Sequence, residues 1–283
     1  MSNIASALKN PNFILIEKDI CLLSPSDIPL SLIPYPLSLV VIHLAARAGV
    51  RPSLTNPELY ERVNIGGTLH LLELMKSMNV HRMIFGSSSS VYGNAAIPFS
   101  EDVDCVPLSP YGVTKRAGEL FCQAYLTLYD MRIVCLRFFT VYGPRNRPDM
   151  AAYKFLDALN LGRPIRTYGK TTMRDFTFVD DIVDGILQTL RKITSGSPPN
   201  FSILNLGNSK PVSVFTFIKH LERITGKNAI LENRPLPSGE MIRTHADVSR
   251  AQHILHWSPN TSLPKGLEKL WQWYQSSVLS DRS

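Results

Sequence analysis

Apolar residues along the chain gather in short runs separated by stretches of helical spacing. Leu39 to Leu44 (LVVIHL) is apolar at both odd and even positions and rich in β-branched residues, the pattern of a strand buried on both faces. Phe13 to Glu17, Arg82 to Ser87 and Arg132 to Phe139 have the same strand character. Between them, Ile65, Leu69, Leu72 and Met75 recur at helical spacing and predict a helix over Asn64 to Met78. Tyr111 to Tyr129 predicts a second, longer helix. Strands alternating with helices, without the two-residue alternation of a half-solvated sheet, predict an α/β fold with a doubly wound parallel sheet of the Rossmann type.

The texture changes after Gly143. Helices are expected over Ala151 to Leu161, Asp180 to Lys192, Val214 to Thr225 and Leu267 to Gln275, and strands over Asp175 to Val179 and Ile203 to Leu206. Gly162-Arg163-Pro164 reads as a turn and Pro235 to Gly239 as a loop. The expected division is a dinucleotide-binding domain over 1–143 and a smaller substrate domain over 144–283. Strands near 175–180 and 203–206 are expected to interleave with the first domain.

Composition narrows the function classes. The 283 residues, 44% hydrophobic and 19% charged, suffice for a sizeable core. The net charge of +7 comes from scattered Lys and Arg rather than a clustered basic face, which suits a small anionic substrate and argues against a nucleic-acid partner. Cys21, Cys105, Cys122 and Cys135 form no C-x-x-C pair, so neither a disulfide frame nor a metal site is expected, and they read as reduced thiols of a cytoplasmic protein. Lys9, Glu17 and Lys18 interrupt the first stretch, which is therefore no signal peptide. Pro25, Pro29, Pro34 and Pro36 argue against a membrane span in the charge-poor segment from Leu22 to Ala46, which reads instead as a loop with a broken helix leading into a buried strand.

The candidate chemistry centres on Tyr111-Gly-Val-Thr-Lys115, where a phenol and an ammonium share one helix face. A tyrosine with an ordinary pKa near 10 is a poor base at neutral pH, and lowering it by roughly three units needs about 4 kcal/mol of preferential phenolate stabilisation. Nearby positive charge, from Lys115 and from a nicotinamide ring, would supply part of this. Some 20 residues earlier a strand ends in Ser87-Ser88-Ser89-Ser90, then Val91-Tyr92-Gly93. Hydroxyls at the carboxyl end of a parallel strand face the crevice where ligands of open α/β sheets bind.

These segments, with His43-Leu-Ala-Ala-Arg-Ala-Gly-Val-Arg51, Asn64-Ile-Gly-Gly-Thr68, Arg137 to Asp149, Arg174 to Asp181 and Asn205-Leu-Gly207, resemble the extended short-chain dehydrogenase/reductases. Within them the chain looks like the NAD-dependent epimerase/dehydratase family, and there the UDP-glucuronate 4-epimerase group. The resemblance runs from about Asn10 to about Tyr274. It implies NAD as cofactor, a UDP-sugar as substrate, homodimers as the usual assembly, and the following roles. Tyr111 is the acid/base, Lys115 holds the nicotinamide ribose and lowers the Tyr111 pKa, and Ser88 bonds the reacting 4-hydroxyl. Asp19 and Ile20 match an adenine contact, Leu44, Ala45 and Ala46 a backbone loop near the cofactor phosphates, Asn64 a structural residue behind the site, and Phe138 a neighbour of the nicotinamide. Ser89 and Thr140 fall at a sugar carboxylate, Arg147 and Arg51 around the sugar, Arg174 at the diphosphate, Tyr168 at the uracil, and Glu240 at a ribose hydroxyl. A 4,6-dehydratase would carry a carboxyl acid/base pair after Ser88. Here Ser89 and Ser90 follow, which favours epimerisation.

Two departures from the family pattern stand out. Neither G-x-G-x-x-G nor G-x-x-G-x-x-G occurs in the chain, so the glycine turn that lets backbone approach a pyrophosphate is missing. The expectation is that the resemblance starts before the third strand of the family pattern, short of the first β-α-β unit, and is complete at the other end. The Phe13 strand then either pairs directly with the Leu39 strand or leaves an open edge. A second reading follows, a catalytically inactive or split remnant that at most binds a nucleotide sugar. The other departure is Gly169-Lys170-Thr171, where the family usually has Gly-Asp-Gly.

Overall fold

The structure is a computed structural model, and it describes residues 2–29, 39–195 and 201–279. In chain order the elements are β1 (Val41–His43), α1 (Val50–Thr55), α2 (Pro57–Tyr60), α3 (Gly67–Ser77), β2 (Arg82–Ser88), α4 (Pro110–Tyr129), β3 (Arg132–Phe138), β4 (Thr140–Tyr142) and α5 (Ala151–Leu161). There follow β5 (Ile165–Tyr168), β6 (Met173–Arg174), β7 (Phe176–Phe178), α6 (Val179–Thr194), β8 (Phe201–Leu206), β9 (Val212–Ser213), α7 (Val214–Thr225), β10 (Leu231–Arg234), α8 (Ser249–Leu255) and α9 (Leu263–Tyr274). A wide helical turn, Glu61–Gly66, leads into α3.

The central sheet is parallel throughout, in the order β1-β2-β3-β8. Its two middle strands are buried on both faces, as their unbroken apolar runs predict. Met83, Phe85, Ile133 and Cys135 point to one side, against Leu72 and Met75 of α3 and Cys122 and Tyr125 of α4. Ile84, Val134, Leu136, Leu204 and Leu206 point to the other, against Ile182 and Ile193 of α6 and Ala251 and Leu255 of α8. A sheet with helices on both faces is the doubly wound arrangement. A separate core joins Tyr142, Phe176 and Phe178 to α5, α7 and α9. Here β4 pairs with β7, while β5 with β10 and β6 with β9 form two further short ladders.

Two expected strands depart from the sequence reading. Phe13 to Glu17 takes no strand pairing, and Phe13, Ile14, Leu15 and Ile16 are 38–51% exposed. The Leu39 run shortens to three paired residues, with Ile42 and Leu44 exposed rather than buried. The physical reason is shared: β1 is the sheet edge, and no strand among the described residues pairs with its outer side. An apolar run without a ladder partner leaves its backbone polar groups to water and does not form a strand. In the Pro-rich segment, Pro25 opens a single helical turn over Pro25–Asp27, while residues 30–38, with Pro34 and Pro36, lie outside the described residues.

The approach of α4 to the sheet places the candidate chemistry. Ser109 caps α4 by accepting from the Gly112 backbone N–H at 3.2 Å, and Pro110 occupies its first turn. The segment between β2 and α4 turns at Gly93, whose φ is +57°. A Cβ there would stand 1.9 Å from the Val106 carbonyl oxygen. Gly93→Ala therefore combines left-handed strain with a clash against backbone, and should lower stability by about 3 kcal/mol. Urea unfolding measures it, and a loss below about 1 kcal/mol would show that this turn yields freely.

Candidate active site

At the carboxyl end of β2 the chain turns sharply. Ser88 is the last strand residue, and its hydroxyl oxygen accepts from the Ser90 backbone N–H at 3.1 Å. That bond starts a short helical turn over Ser89–Val91 and holds both Ser88 and Ser89 buried. Tyr111 enters from the first turn of α4, with its ring edge-on to Tyr60 at 6.2 Å. Lys115, one turn further on, is buried, and its Nζ donates to the Gly86 carbonyl at 2.6 Å. Phe138 ends β3 in register with Ser88 and lies against Gly86, as does Leu44.

The electrostatics correct one expectation. Tyr111 sits above the ordinary tyrosine pKa because burial penalises the phenolate; Ser88 as hydrogen-bond partner and the Arg147 charge offset only part of this. Lys115 does not lower it in this geometry, because its ammonium is turned into the sheet toward Gly86. Burial in turn pulls Lys115 down to about 8. His43 of β1 is buried and bonds Thr68 at 3.0 Å, and burial ahead of the Lys115 charge pulls it down to about 4.

Asn64 lies behind the pair. Its side-chain oxygen accepts from the Arg47 N–H at 2.7 Å, and its amide donates to the Arg47 carbonyl at 3.0 Å and to Thr114 at 2.9 Å. The loop after β1, with Leu44, Ala45 and Ala46, is thus tied to α4. Asp19 and Ile20 stand elsewhere. Asp19 caps a helical turn through Cys21, and Ile20 packs on Gly67 at the start of α3. Thr140 is at the head of β4, its N–H donating to the Asp175 carbonyl at 3.0 Å. Arg147 pairs with Asp149 at 2.6 Å.

A second group gathers residues far apart in sequence. Arg51 of α1 and Arg174 of β6 both bind Glu240, at 3.0 and 3.2 Å, and the Arg51 guanidinium lies 3.9 Å over the Tyr168 ring.

Sequence reading missed Tyr60, Arg47 and Thr114, and also the buried set beneath Ser88. There Glu119 accepts from Arg137 twice at 2.8 Å, from Ser87 at 2.6 Å and from Arg116 at 2.9 Å. The available signals were Glu119 one helical turn beyond Lys115 and Arg137 inside an apolar strand.

The nicotinamide end of a dinucleotide fits what is present: the Ser88 hydroxyl stands with the Tyr111 phenol at the carboxyl end of β2, and Lys115 lies one helical turn on with its ammonium at the Gly86 carbonyl. The sequence carries no glycine-rich turn for the phosphates. Among the described residues no group of His, Cys, Asp and Glu could hold a metal ion, and no helix is long and apolar enough to cross a membrane.

A doubly wound sheet with a Ser, a Tyr and a Lys four residues on at its carboxyl edge defines the class of nicotinamide-dependent short-chain enzymes. The chain matches the NAD dependent epimerase/dehydratase family over residues 38–207 and belongs to it. It is 42% identical to the UDP-glucuronate 4-epimerase of Thermodesulfobacterium geofontis over 241 residues, which cover 84% of this chain and 73% of that one. It is 41% identical to UDP-glucuronate 4-epimerase 4 of Arabidopsis thaliana, over 86% of this chain and 59% of that one. Its structure superposes on the Bacillus cereus UDP-glucuronic acid 4-epimerase, solved with UDP-glucuronic acid and NAD, at a TM-score of 0.88 and 38% identity, covering 97% of this chain and 85% of that one.

Proposed function

We propose that this chain is an isomerase that carries out NAD-dependent epimerisation at C4 of a UDP-sugar, UDP-glucuronate to UDP-galacturonate, through a 4-keto intermediate. The observation that carries this is the approach of Ser88 and Tyr111 at the carboxyl edge of β2, with Lys115 buried one helical turn on. The UDP-glucuronate 4-epimerase relatives and the solved complex with UDP-glucuronic acid and NAD support it.

NAD supplies the hydride acceptor and donor when bound, held at its ribose by Lys115, beside Phe138, and with Leu44, Ala45 and Ala46 toward its phosphates. Asp19 and Ile20 are proposed at the adenine, and Asn64 as the structural residue behind the site. Tyr111 takes the proton from the sugar O4 and returns it after the keto sugar has turned over. Ser88, its hydroxyl fixed by the Ser90 N–H, orients that oxygen. A 4-keto uronic acid is a β-keto acid, prone to losing CO₂ when its carboxylate aligns with the carbonyl π system. Ser89 and Thr140 hold the carboxylate away from that orientation, a geometric control of outcome. Arg147 and Arg51 lie around the sugar, Arg174 binds the diphosphate through its fork of donors, Tyr168 holds the uracil, and Glu240 is placed at the ribose.

We read residues 1–143 as the cofactor side and 144–283 as mainly the UDP-sugar side, in a cytoplasmic homodimer whose mass sedimentation would measure. Incubation with UDP-glucuronate and NAD⁺ should yield UDP-galacturonate, resolved by anion-exchange chromatography. A folded protein that gives no product overturns the epimerase reading. Calorimetric NAD⁺ binding then separates an inactive nucleotide-sugar binder from an enzyme of another specificity.

A further inference from the structure

Thr140 stands where the chain leaves the central sheet for the smaller one. The N–H of Phe139, the residue before it, still donates to the Leu206 carbonyl of β8 at 3.2 Å, while the Thr140 N–H donates to the Asp175 carbonyl at 3.0 Å. From there β4 runs beside β7, with Thr140 in register with Phe176. No hydrogen bond among the described residues engages the Thr140 hydroxyl, so its backbone anchor is what places that group.

Asp175 is the other half of the anchor. It lies between β6 and β7 and is fully buried. Its carboxylate accepts three backbone N–H groups: Oδ1 that of Asn208 at 2.7 Å, and Oδ2 those of Ser209 at 3.0 Å and Ala246 at 2.9 Å. Its own N–H donates to the Thr244 hydroxyl at 3.0 Å. Asn208 and Ser209 lie just past the end of β8. The main chain of Asp175 thus holds Thr140, and its side chain holds the end of the strand to which Phe139 is still bonded. The segments meet closely: a Cβ on Gly207 would stand 2.4 Å from the Ala246 Cβ and 3.2 Å from the Phe139 ring. Accepting three N–H groups from two separate segments suits a carboxylate, whose two oxygens offer more lone pairs than the single oxygen of an amide.

We propose that Asp175 is a positioning residue for the sugar carboxylate: it fixes Thr140 against the end of β8, and so sets how often the 4-keto intermediate loses CO₂ instead of being reduced. This rests on reading Thr140 as a holder of that carboxylate. In the losing branch the C5–C6 bond breaks, its electron pair passes to the C4 carbonyl as an enolate, CO₂ leaves, and the enolate takes up a proton at C5. That bond breaks readily only when it stands parallel to the carbonyl π system, so a small displacement of Thr140 registers in the products.

Anion-exchange chromatography of the products tests this, because loss of the carboxylate removes a negative charge. The ratio of decarboxylated UDP-sugar to UDP-galacturonate is measured for the unmodified chain and for Asp175→Asn, Thr244→Val and Thr140→Val. Asp175→Asn should raise the ratio by about 10-fold, the fold-change for losing one hydrogen bond to a charged group. Thr140→Val should raise it at least as far. Thr244→Val keeps the carboxylate and removes only the acceptor of the Asp175 N–H; it should raise the ratio by a smaller factor, and it carries the test if Asp175→Asn does not fold. The ratio does not depend on how much protein is folded, so a purely structural Asp175 would lower the yield and leave the ratio where it was. An unchanged ratio in Asp175→Asn, or in Thr244→Val where the former does not fold, beside a raised ratio in Thr140→Val overturns the positioning role. An unchanged ratio in Thr140→Val, or no turnover by the unmodified chain, fails the reading on which the inference rests, and the inference falls with it.

Discussion

Tyr111→Phe should reduce epimerase turnover by about 10²- to 10⁴-fold, the range that a positioned acid/base contributes, while leaving UDP affinity within a factor of about 2. The asymmetry follows from what the substitution removes. The ring stays, and with it the edge-on contact to Tyr60 at 6.2 Å. The hydroxyl goes, and it is the group whose ionised form Ser88 favours. No neighbouring side chain can take over. Lys115 is committed to the Gly86 carbonyl, and Ser88, as an ordinary alcohol, is a far weaker base than a phenolate. Burial lifts the Tyr111 phenol, so the free protein holds it protonated, ready to give a proton to a 4-keto oxygen. Taking one from a 4-hydroxyl requires additional positive charge beside it. The measurement is kcat by product chromatography, set against calorimetric UDP binding and the thermal midpoint. Turnover within 10-fold of the unmodified chain, in a folded variant, would remove Tyr111 from the mechanism.

How far the sequence led depended on how much of each element was buried. The β2 and β3 strands and α5 and α7 are anchored on two faces or by clear end signals, and their apolar patterns locate them closely. The two-residue ladder of β6 and β9 and the exposed β10 carry no such pattern, and none was expected from the residues alone. The Phe13 run shows the reverse failure. Apolar β-branched residues signal a strand, but a strand is a pairing, and composition does not say whether a partner is at hand. The same limit held at the site. Ser88, Tyr111 and Lys115 lie within one strand–loop–helix unit and were legible together. Arg51, Tyr168, Arg174 and Glu240 meet through tertiary contacts spanning up to 189 residues, and from sequence they could be placed only by resemblance. Glu119 and Arg137 were overlooked because charged residues are read as solvated unless something identifies their partner.

That pair carries the second large effect. Glu119→Ala should destabilise the protein by about 3–5 kcal/mol, the cost of leaving one member of a buried ion pair unpaired. Both side chains are essentially inaccessible, at 0% and 1% exposure, and the carboxylate ties α4 to β3 through Arg137 and to β2 through Ser87. Arg137 already has one buried nitrogen, Nη1, without a hydrogen-bond partner, and its guanidinium lies 4.7 Å from the Tyr92 ring centre. Removing Glu119 strips it of its only ion-pair partner among the described residues. The double variant Glu119→Met with Arg137→Met should recover most of the loss, because an apolar pair of similar volume avoids the desolvation that both ions suffer. Acid offers an independent test. Burial by itself would raise the Glu119 carboxyl; the Arg137 bonds and charge, with Ser87 and Arg116, together outweigh it and hold the group below its ordinary value of 4.5. A carboxyl depressed on folding stabilises fully above the unfolded pKa, and that contribution is lost as pH falls through the folded one. Urea unfolding at pH 7 and near pH 3 should therefore show the unmodified chain losing this contribution and the double variant retaining its stability over the same interval more fully. The chemistry depends on the outcome, since Ser87 and Ser88 are consecutive and Lys115 and Glu119 are one helical turn apart. A cost below about 1 kcal/mol for Glu119→Ala would mean that β2, β3 and α4 hold their mutual placement without this pair, and that Ser88 and Tyr111 are brought together by apolar packing alone.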